Sequence, residues 1–289
     1  MKKLFFLLTA LVLTLALAGC GDNAKPAANS GSNAPAAGAK TTLKVGATPV
    51  PHAEILEIVK PLLAQQNIDL QIVEFSDYVQ PNLALNDKEL DANFFQHEPY
   101  LDNFVSEHKE VKLKNAGGIH IEPMHKIYRI TEFLRKLFKK IKQLDALPDG
   151  ASIAIPNDPT NGGRSLLLLE KAGLLKLKDG VGVKATVQDI ASNPKNLKFQ
   201  EVEAAQVPRT LDDVDAAVIN TNFAMQVNLV PTKDALFMED KTSPYVNIVA
   251  VREGDEKRPE IEALLKALKS KEVKDFIESK YKGAIVPAF

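Results

Sequence analysis

The stretch ASIAIPNDPTNGGRSLLLLEKA, residues 151–172, indicates the fold class of this chain. Ala151 to Ile155 is a short and almost wholly apolar run, as expected of a strand buried in a sheet. A polar turn follows, and Gly162 to Ala172 is a leucine-rich segment that predicts a helix. Because this strand–helix alternation occurs elsewhere in the chain, we expect an α/β fold with helices covering a mostly parallel sheet.

The alternation extends to both sides of this stretch, and a Leu-Pro-Asp-Gly turn at residues 147–150 separates two halves with the same rhythm. Residues 43–289 are more than one compact core usually holds, so two lobes are expected. The predicted strands are 43–47, 70–75, 91–95, 111–113, 118–121, 151–155, 197–202, 216–219 and 245–251, and the predicted helices are 52–66, 99–108, 162–172, 211–214, 259–268 and 271–281.

The N-terminus has the features of an export signal. Lys2 and Lys3 precede an apolar run, Leu4 to Leu17, which is shorter than the roughly 20 residues that span a bilayer. Leu-Ala-Gly then leads directly to Cys20, the chain's one cysteine. This arrangement resembles the lipobox of bacterial lipoproteins. The resemblance implies that residues 1–19 are a signal peptide and that the Cys20 thiol is lipidated and becomes the mature N-terminus.

Composition narrows the possible functions. One cysteine rules out a disulfide framework and a cysteine-rich metal site. Loss of Lys2 and Lys3 with the signal peptide would lower the basic count from 36 to 34, against 37 acidic residues, for a net charge of −3. A near-neutral chain gives no indication of nucleic-acid binding. Residues 21–42 carry no large apolar side chain and are predicted to form a flexible tether.

Four segments, together with the lipobox, resemble the NlpA/MetQ family of substrate-binding lipoproteins, which serves methionine-type ABC importers. They are FQHEPYLD at 95–102, IPNDPTNGGR at 155–164, AVINTNFA at 217–224 and SPYVN at 243–247. The resemblance implies a two-lobed periplasmic-binding-protein fold in which two crossover strands join the lobes and the ligand lies between them. The implied organisation is signal peptide 1–19, lipidated cysteine and tether 20–42, lobe one 43–122 plus 248–289, and lobe two 123–247, with hinges near 121–124 and 247.

The resemblance also implies a function. The chain would be anchored by lipid to the extracytoplasmic face of the cell membrane, capture L-methionine, and deliver it to a permease driven by an ATPase. A D-isomer, methionine sulfoxide or a methionine-containing dipeptide is an alternative ligand, and a surface adhesin or immunogen is a further possibility. No cofactor is expected. No Gly-x-Ser-x-Gly elbow occurs, so an exported enzyme is not favoured.

The polar candidates for the ligand site follow from the chemistry of a free amino acid. In a dry cleft, both its carboxylate and its ammonium need partners. Arg164 offers a planar fork for a carboxylate and is predicted to lie in the first turn of a helix, just after two glycines that would let a ligand approach the backbone. Asn161, Asn220 and Asn247 follow or end apolar strands, and each offers one donor and one acceptor group.

Aromatic candidates would form the apolar wall that a thioether prefers. Tyr78 and Phe95 are predicted to supply it, with His97 as a further ring or polar edge. Phe94 precedes Phe95 on a strand, so its side chain points to the opposite face, and it is assigned to the core.

A metal site is the main rival interpretation. His120, Glu122 and His125 lie close together in sequence, and His52 and His97 are also available. The spacing His-x-Glu-x-x-His is not the His-Glu-x-x-His helix pair, so the sequence predicts no metal.

One segment departs from the family pattern. HKIYRITEFLRKLFK, residues 125–139, is longer than expected by roughly ten residues and has a basic, amphipathic character. It falls where the first crossover should enter lobe two.

Overall fold

Two β-sheets organise the computed structural model, which describes residues 40–127, 147–239 and 243–289. The signal peptide, Cys20, the tether up to residue 39 and residues 128–139 of the long segment lie outside the described residues. The strands are β1 Thr41–Ala47, β2 Ile68–Glu74, β3 Ala92–His97, β4 Leu113–Ile121, β5 His125–Ile127, β6 Ser152–Pro156, β7 Lys176–Leu177, β8 Ile190–Ser192, β9 Lys198–Val202, β10 Ala216–Ile219, β11 Ala235–Met238, β12 Val246–Arg252 and β13 Val286–Pro287.

Helices connect and cover these strands. Four of the longer ones begin with a capping side chain or a proline in the first turn, as helix N-termini commonly do, whereas α1 continues directly from the π-helical segment before it. The helices are α1 Glu54–Ala64, α2 Gln80–Asn86, α3 Glu98–Glu107, α4 Pro159–Lys171, α5 Thr221–Gln226, α6 Pro231–Asp234, α7 Pro259–Leu268 and α8 Lys271–Tyr281, with a π-helical segment Pro49–Ala53 and short 3-10 helices Gly182–Lys184, Val187–Asp189 and Val207–Asp212. Among the described helices, none is long and apolar enough to cross a membrane.

Each sheet belongs to one lobe. The six-stranded sheet has the order β13-β4-β12-β3-β1-β2, and the five-stranded sheet has the order β11-β5-β10-β6-β9. The chain passes from the first sheet to the second between β4 and β5, and it returns between β11 and β12. We call the part around the six-stranded sheet lobe one and the part around the five-stranded sheet lobe two. The residue bounds of the lobes stay a prediction.

The expectation of mostly parallel sheets is wrong, because both sheets are mixed. β1 runs parallel to β2 and β3, and β6 runs parallel to β9 and β10. The crossover strands pair antiparallel, β4 with β12 in lobe one and β5 with β10 and β11 in lobe two. A chain that leaves a sheet on one strand and returns on its neighbour must run in the opposite direction, which explains the pairs β4 with β12 and β5 with β11.

Several predicted element bounds also change. The strands expected at 111–113 and 118–121 are one strand, β4, and the helix expected at 211–214 is the 3-10 helix Val207–Asp212. β1 begins at Thr41, inside the predicted tether. Residues 125–127, the start of the basic, amphipathic segment, form strand β5.

Each lobe has its own apolar core. In lobe one, Leu43, Val45 and Phe94 are fully buried against helices α1, α7 and α8. In lobe two, Ile153 and Leu169 are fully buried with the other apolar residues of β6 and α4. The expectation that Phe94 belongs to the core is confirmed. Burial of these side chains fixes the strand register and therefore which residues reach the cleft between the sheets.

Candidate functional site

A small cavity lies between the two sheets. Its volume is about 20 Å³, room for about one water molecule and far below the roughly 300–1,000 Å³ of ligand pockets. The structure therefore shows the two lobes closed on each other at this point. The cavity is lined by Tyr78, Phe95, Gln96, His97, Tyr100, Glu122, Asn161, Arg164, Asn220, Thr221, Asn222 and Asn247.

All seven residues predicted from the sequence to bind ligand line this one cavity. Tyr78, Phe95, His97 and Asn247 come from lobe one, and Asn161, Arg164 and Asn220 come from lobe two. Their convergence is a finding, and their contact with a ligand stays a prediction. The cavity is also lined by five residues that the sequence did not predict to bind ligand. Four of the five lie in the segments that carry the family resemblance, and Glu122 is the exception. These additional residues are Gln96, Tyr100, Glu122, Thr221 and Asn222.

Asp158 fixes the geometry on the lobe-two side. Its carboxylate caps α4 by accepting the backbone N–H of Asn161 over 2.9 Å. Both carboxylate oxygens also accept from the Asn161 side-chain Nδ2, each over 3.0 Å. The Asn161 Oδ1 is then free to accept, and it receives Nδ2 of Asn220 over 2.8 Å and Nε2 of His97 over 3.2 Å. Asn161 thus joins the two lobes instead of offering free groups to the cavity.

This chain of hydrogen bonds determines which atoms remain for a ligand. Because Asn220 points Nδ2 at Asn161, its Oδ1 is the atom left over, and it is buried without a hydrogen-bond partner among the described residues. Asn222 accepts the Tyr78 hydroxyl on its Oδ1 over 2.6 Å, and its Nδ2 is likewise buried without a partner in that part of the chain. One unsatisfied acceptor and one unsatisfied donor therefore belong to residues of the cavity wall.

Arg164 lies deeper in α4 than the sequence suggested. α4 begins at Pro159, so the expected position in the first turn is wrong, because the Asp158 cap starts the helix earlier. Gly162 and Gly163 lie inside the helix. A Cβ on Gly163 would meet the Val183 carbonyl oxygen at 2.2 Å, so this glycine serves close packing of α4 on its own lobe. The expected role of that glycine in ligand approach is therefore not what the structure shows.

The Arg164 guanidinium already has a protein carboxylate as partner. Its Nε lies 2.9 Å and 3.2 Å from the two carboxylate oxygens of Glu239, and its Nη2 also donates to that carboxylate. Nη2 further donates to the Glu122 carbonyl over 2.9 Å, and the guanidinium carbon lies 4.1 Å from the centre of the Tyr245 ring. These contacts hold the side chain, which is only 3% exposed, in one orientation beside the cavity.

Aromatic rings form the opposite wall. Tyr78 lies 4.8 Å from the ring centre of Phe223 in lobe two and 5.7 Å from that of Phe95 in lobe one. Tyr100 packs against Tyr78 at 5.6 Å, edge to face. Ring pairs at these distances attract one another beyond simple burial. The wall is apolar and polarisable, and its contact with a thioether stays a prediction.

His97 joins this wall as an uncharged ring. Its Nδ1 accepts the backbone N–H of Tyr100 over 3.1 Å and caps α3, so Nε2 carries the proton that faces Asn161. Burial, with the nearby Arg164 charge, lowers the pKa of His97 to about 3. His97 is therefore neutral at physiological pH and adds a fixed donor to the contact between lobes.

A second polar cluster lies where the two crossover segments meet. His120 Nε2 is 2.8 Å and His52 Nε2 is 3.2 Å from the same Glu122 carboxylate oxygen. His52 Nε2 also lies 3.0 Å from Oδ1 of Asn247, and its Nδ1 is 2.7 Å from the Thr48 hydroxyl. Burial lowers the pKa values of His52 and His120 to about 4 and about 3, and it raises the pKa of Glu122.

This cluster contains part of the rival metal set. The donor atoms of His52, His120 and Glu122 lie within 4.8 Å of one another. His97 is elsewhere, bonded to Asn161. The separations from the Glu122 oxygen are ordinary hydrogen-bond lengths, and two imidazole N–H groups aimed at one carboxylate account for them. Sequence spacing could not identify His52 as a member, because it lies ahead of α1, whereas His120 lies near the end of β4.

Comparison with known proteins identifies the family. Residues 43–289 match the family model described as NlpA lipoprotein. The chain belongs to the NlpA lipoprotein family. It is 42% identical over 287 residues to the D-methionine-binding lipoprotein MetQ of Salmonella typhimurium, covering 98% of this chain and 97% of that protein. It is 44% identical over 291 residues to the methionine-binding lipoprotein MetQ of Bacillus subtilis, covering 99% of each chain.

Solved structures agree with this assignment to the NlpA family. A nutrient-binding protein from Burkholderia cenocepacia, whose structure was determined bound to methionine, is 47% identical, with a TM-score of 0.79. The match covers 86% of this chain and all of that one. The predicted family and its two-lobed periplasmic-binding-protein fold are confirmed.

A second cavity of about 310 Å³ lies on the lobe-two side of Arg164. Glu239 and Tyr245 line it together with apolar residues of α4. The Tyr245 hydroxyl is buried without a hydrogen-bond partner among the described residues. In sequence, Glu239 and Ser243 of this wall flank residues 240–242, which lie outside the described part of the chain.

Proposed function

We propose that this protein captures methionine, or a closely related amino acid, in the cavity between its lobes and delivers it to an ABC permease driven by an ATPase. One observation carries the proposal. The unsatisfied Asn220 Oδ1 and Asn222 Nδ2 belong to residues that line the same cavity as Arg164 and an aromatic wall. An amino acid with an apolar side chain complements all of them: its ammonium can donate to Asn220 Oδ1, its carboxylate can accept from Asn222 Nδ2 and Arg164, and its side chain can pack on the rings. The relatives named for methionine binding support the same ligand class.

Binding would proceed by closure of the lobes. Tyr78 and His97 of lobe one contact Asn222 and Asn161 of lobe two in the closed form. A ligand that contacts both lobes favours this form over an open one, because it gains contacts that the open form lacks. Entry requires the lobes to separate, since the closed cavity has room for about one water molecule.

The protein would act at a membrane surface and not as an enzyme. Its N-terminal sequence supports lipidation of Cys20 and anchoring at the extracytoplasmic face. ATP hydrolysis would take place on the ATPase partner. In this proposal the binding protein supplies selectivity and delivery, while the partners supply energy.

Isothermal titration calorimetry tests the proposal. The full-length protein in detergent is unfolded and refolded to remove any ligand carried through purification, and it is then titrated with L-methionine. We expect one-to-one binding with submicromolar affinity. Titrations with D-methionine, methionine sulfoxide and a glycyl-methionine dipeptide then rank the alternatives. A refolded protein with native circular dichroism that binds none of the four ligands would contradict the proposal.

A further inference from the structure

Every hydrogen bond that the Arg164 guanidinium makes to the described residues ends in one of the two crossovers. Glu122, whose carbonyl accepts from Nη2, lies between β4 and β5. Glu239, whose carboxylate accepts from Nε and Nη2, lies between β11 and β12. Tyr245, whose ring centre is 4.1 Å from the guanidinium carbon, lies in this same second crossover, directly before β12. The crossovers therefore determine how this arginine is oriented.

These hydrogen bonds leave one terminal nitrogen of Arg164 available. A guanidinium has five N–H groups, one on Nε and two on each Nη atom. Nε and Nη2 donate to the Glu239 carboxylate, and Nη2 donates again to the Glu122 carbonyl. Nη1 donates to none of the residues in the described part of the chain. The carboxylate of the proposed ligand would therefore be received at Nη1, as long as the plane of the guanidinium keeps this orientation.

The ring of Tyr245 is what covers the guanidinium on its open side. The cavity of about 310 Å³ is lined by both Arg164 and Tyr245, so the arginine is not packed against protein in every direction. Tyr245 itself is 3% exposed, and its ring also meets the His97 ring of lobe one, edge to face, with 5.0 Å between the ring centres. Its hydroxyl is buried without a hydrogen-bond partner among the described residues. The ring, and not the hydroxyl, is thus the part that its neighbours use.

An aromatic ring facing a guanidinium attracts its charge and limits the tilting of its plane. We propose that Tyr245 is a positioning residue, which through this cation–π contact keeps Arg164 oriented so that Nη1 receives the carboxylate of the ligand. This inference rests on the proposed function. It makes Tyr245 a determinant of the preference for ligands with a free carboxylate, although Tyr245 is not among the described residues that line the cavity between the sheets.

The test compares the affinities for L-methionine and for L-methioninamide, in which a neutral amide replaces the carboxylate. Tyr245→Leu removes the ring. We expect it to bind L-methionine about 10-fold more weakly, because Nη1 is no longer held in place, and to bind the amide within about 3-fold of wild type. Tyr245→Phe keeps the ring and loses only a hydroxyl without a partner, so both affinities should stay within about 3-fold of wild type.

Phe276→Leu is the matched control, because it removes another aromatic ring that lies beside a cation. Lys280 Nζ is 5.3 Å from the centre of the Phe276 ring on α8, and neither residue is among those that line the cavity between the sheets. This variant should change neither affinity. A loss of methionine affinity in Phe276→Leu equal to that in Tyr245→Leu would overturn the inference, because the effect would not be specific to Tyr245.

The outcomes separate the two proposals. A folded wild-type protein that binds neither ligand overturns the proposed function, and the inference with it. When the wild-type protein binds L-methionine, three results overturn the inference alone. Tyr245→Leu keeps its methionine affinity, or it loses affinity equally for both ligands, or Tyr245→Phe binds methionine as weakly as Tyr245→Leu does.

A second measurement covers the cases in which Tyr245→Leu does not fold or the amide binds wild type too weakly to measure. Phenylalanine with increasing ring fluorination is placed at position 245. Fluorine withdraws electron density from the face of the ring and weakens its attraction for a cation, with little change in the shape of the ring. The affinity for L-methionine should fall stepwise as fluorines are added. An affinity that does not depend on fluorine content would overturn the inference.

Discussion

Asn220 donates its side-chain Nδ2 to Oδ1 of Asn161 over 2.8 Å, and this bond determines what the cavity offers to a ligand. Asn161 can accept it because Asp158 holds the Asn161 amide nitrogen. The Asn220 Oδ1 is consequently left as an acceptor at the cavity wall. A single carboxylate at the start of α4 thus orients two asparagines in succession.

Asp158→Ala should reduce both stability and ligand affinity. Loss of the cap costs about 1 kcal/mol of stability, and loss of the oriented Asn161 and Asn220 amides weakens methionine binding. Ser270→Ala is the matched control, because Ser270 caps α8 in lobe one and is not among the residues that line the cavity. It should lower stability by a similar amount and leave affinity unchanged. Equal affinities of the two variants would contradict the orienting role of Asp158.

Arg164→Ala should weaken methionine binding by about 3–5 kcal/mol, as expected when one member of a desolvated ion pair is removed. Because Glu239 would also lose its cationic partner and keep only the Met124 backbone N–H, the variant should unfold at a lower temperature. The double variant Arg164→Ala/Glu239→Ala removes the unpaired carboxylate. It should regain part of the stability but none of the affinity. Unchanged affinity in Arg164→Ala, measured by calorimetry, would show that this residue does not bind the ligand carboxylate.

Asn247→Ala should weaken methionine binding by about 1–3 kcal/mol, because a polar group of the ligand would lose its partner. His52 would also lose the Asn247 Oδ1 that lies 3.0 Å from its Nε2. Calorimetry gives the affinity, and thermal unfolding shows whether the fold is kept. A loss below about 0.5 kcal/mol in a folded variant would argue against contact between Asn247 and the ligand.

Acidification should destabilise the protein through its buried histidines. The pKa values of His52 and His120 are lowered from 6.5 to about 4 and about 3 in the folded state, so the unfolded chain takes up protons first. Their contribution to stability is complete above pH 6.5 and is lost as the pH falls toward 3, by at most about 1.4 kcal/mol per pH unit for each histidine. Glu122, whose pKa is raised, contributes in the opposite direction.

Thermal unfolding between about pH 7 and pH 4, the range over which the histidines take up protons, measures this effect. His120→Gln removes one of the titrating groups and keeps a side-chain N–H that can donate to Glu122. Its unfolding temperature should therefore depend less steeply on pH than that of the wild type. Parallel curves for the two proteins would show that His120 does not contribute.

Cys20→Ala should release the protein from membranes without changing its ligand affinity. The expectation comes from the sequence alone, since Cys20 lies outside the described residues. A lipid chain is the proposed anchor, and alanine cannot carry it. Cell fractionation measures the distribution, and calorimetry measures the affinity. A variant that remains in the membrane fraction would contradict the anchor.

The sequence by itself determined the fold class and the candidate site residues. Apolar runs and helical spacing are local patterns, so they indicate elements such as β6 and α4 without knowledge of their neighbours. Family motifs then located Arg164, Asn161, Asn220 and Asn247, which the structure brings together around one cavity.

Tertiary structure alone decided how those residues are used. Three arrangements join segments that are far apart in the chain. Arg164 pairs with Glu239, and Asn220 is oriented by Asn161, which Asp158 holds. His52 joins His120 at the Glu122 carboxylate. The direction of the crossover strands depends on the same long-range path. Such contacts arise when distant segments pack together, because hydrogen bonds and ion pairs depend on distances in space that local sequence patterns do not encode.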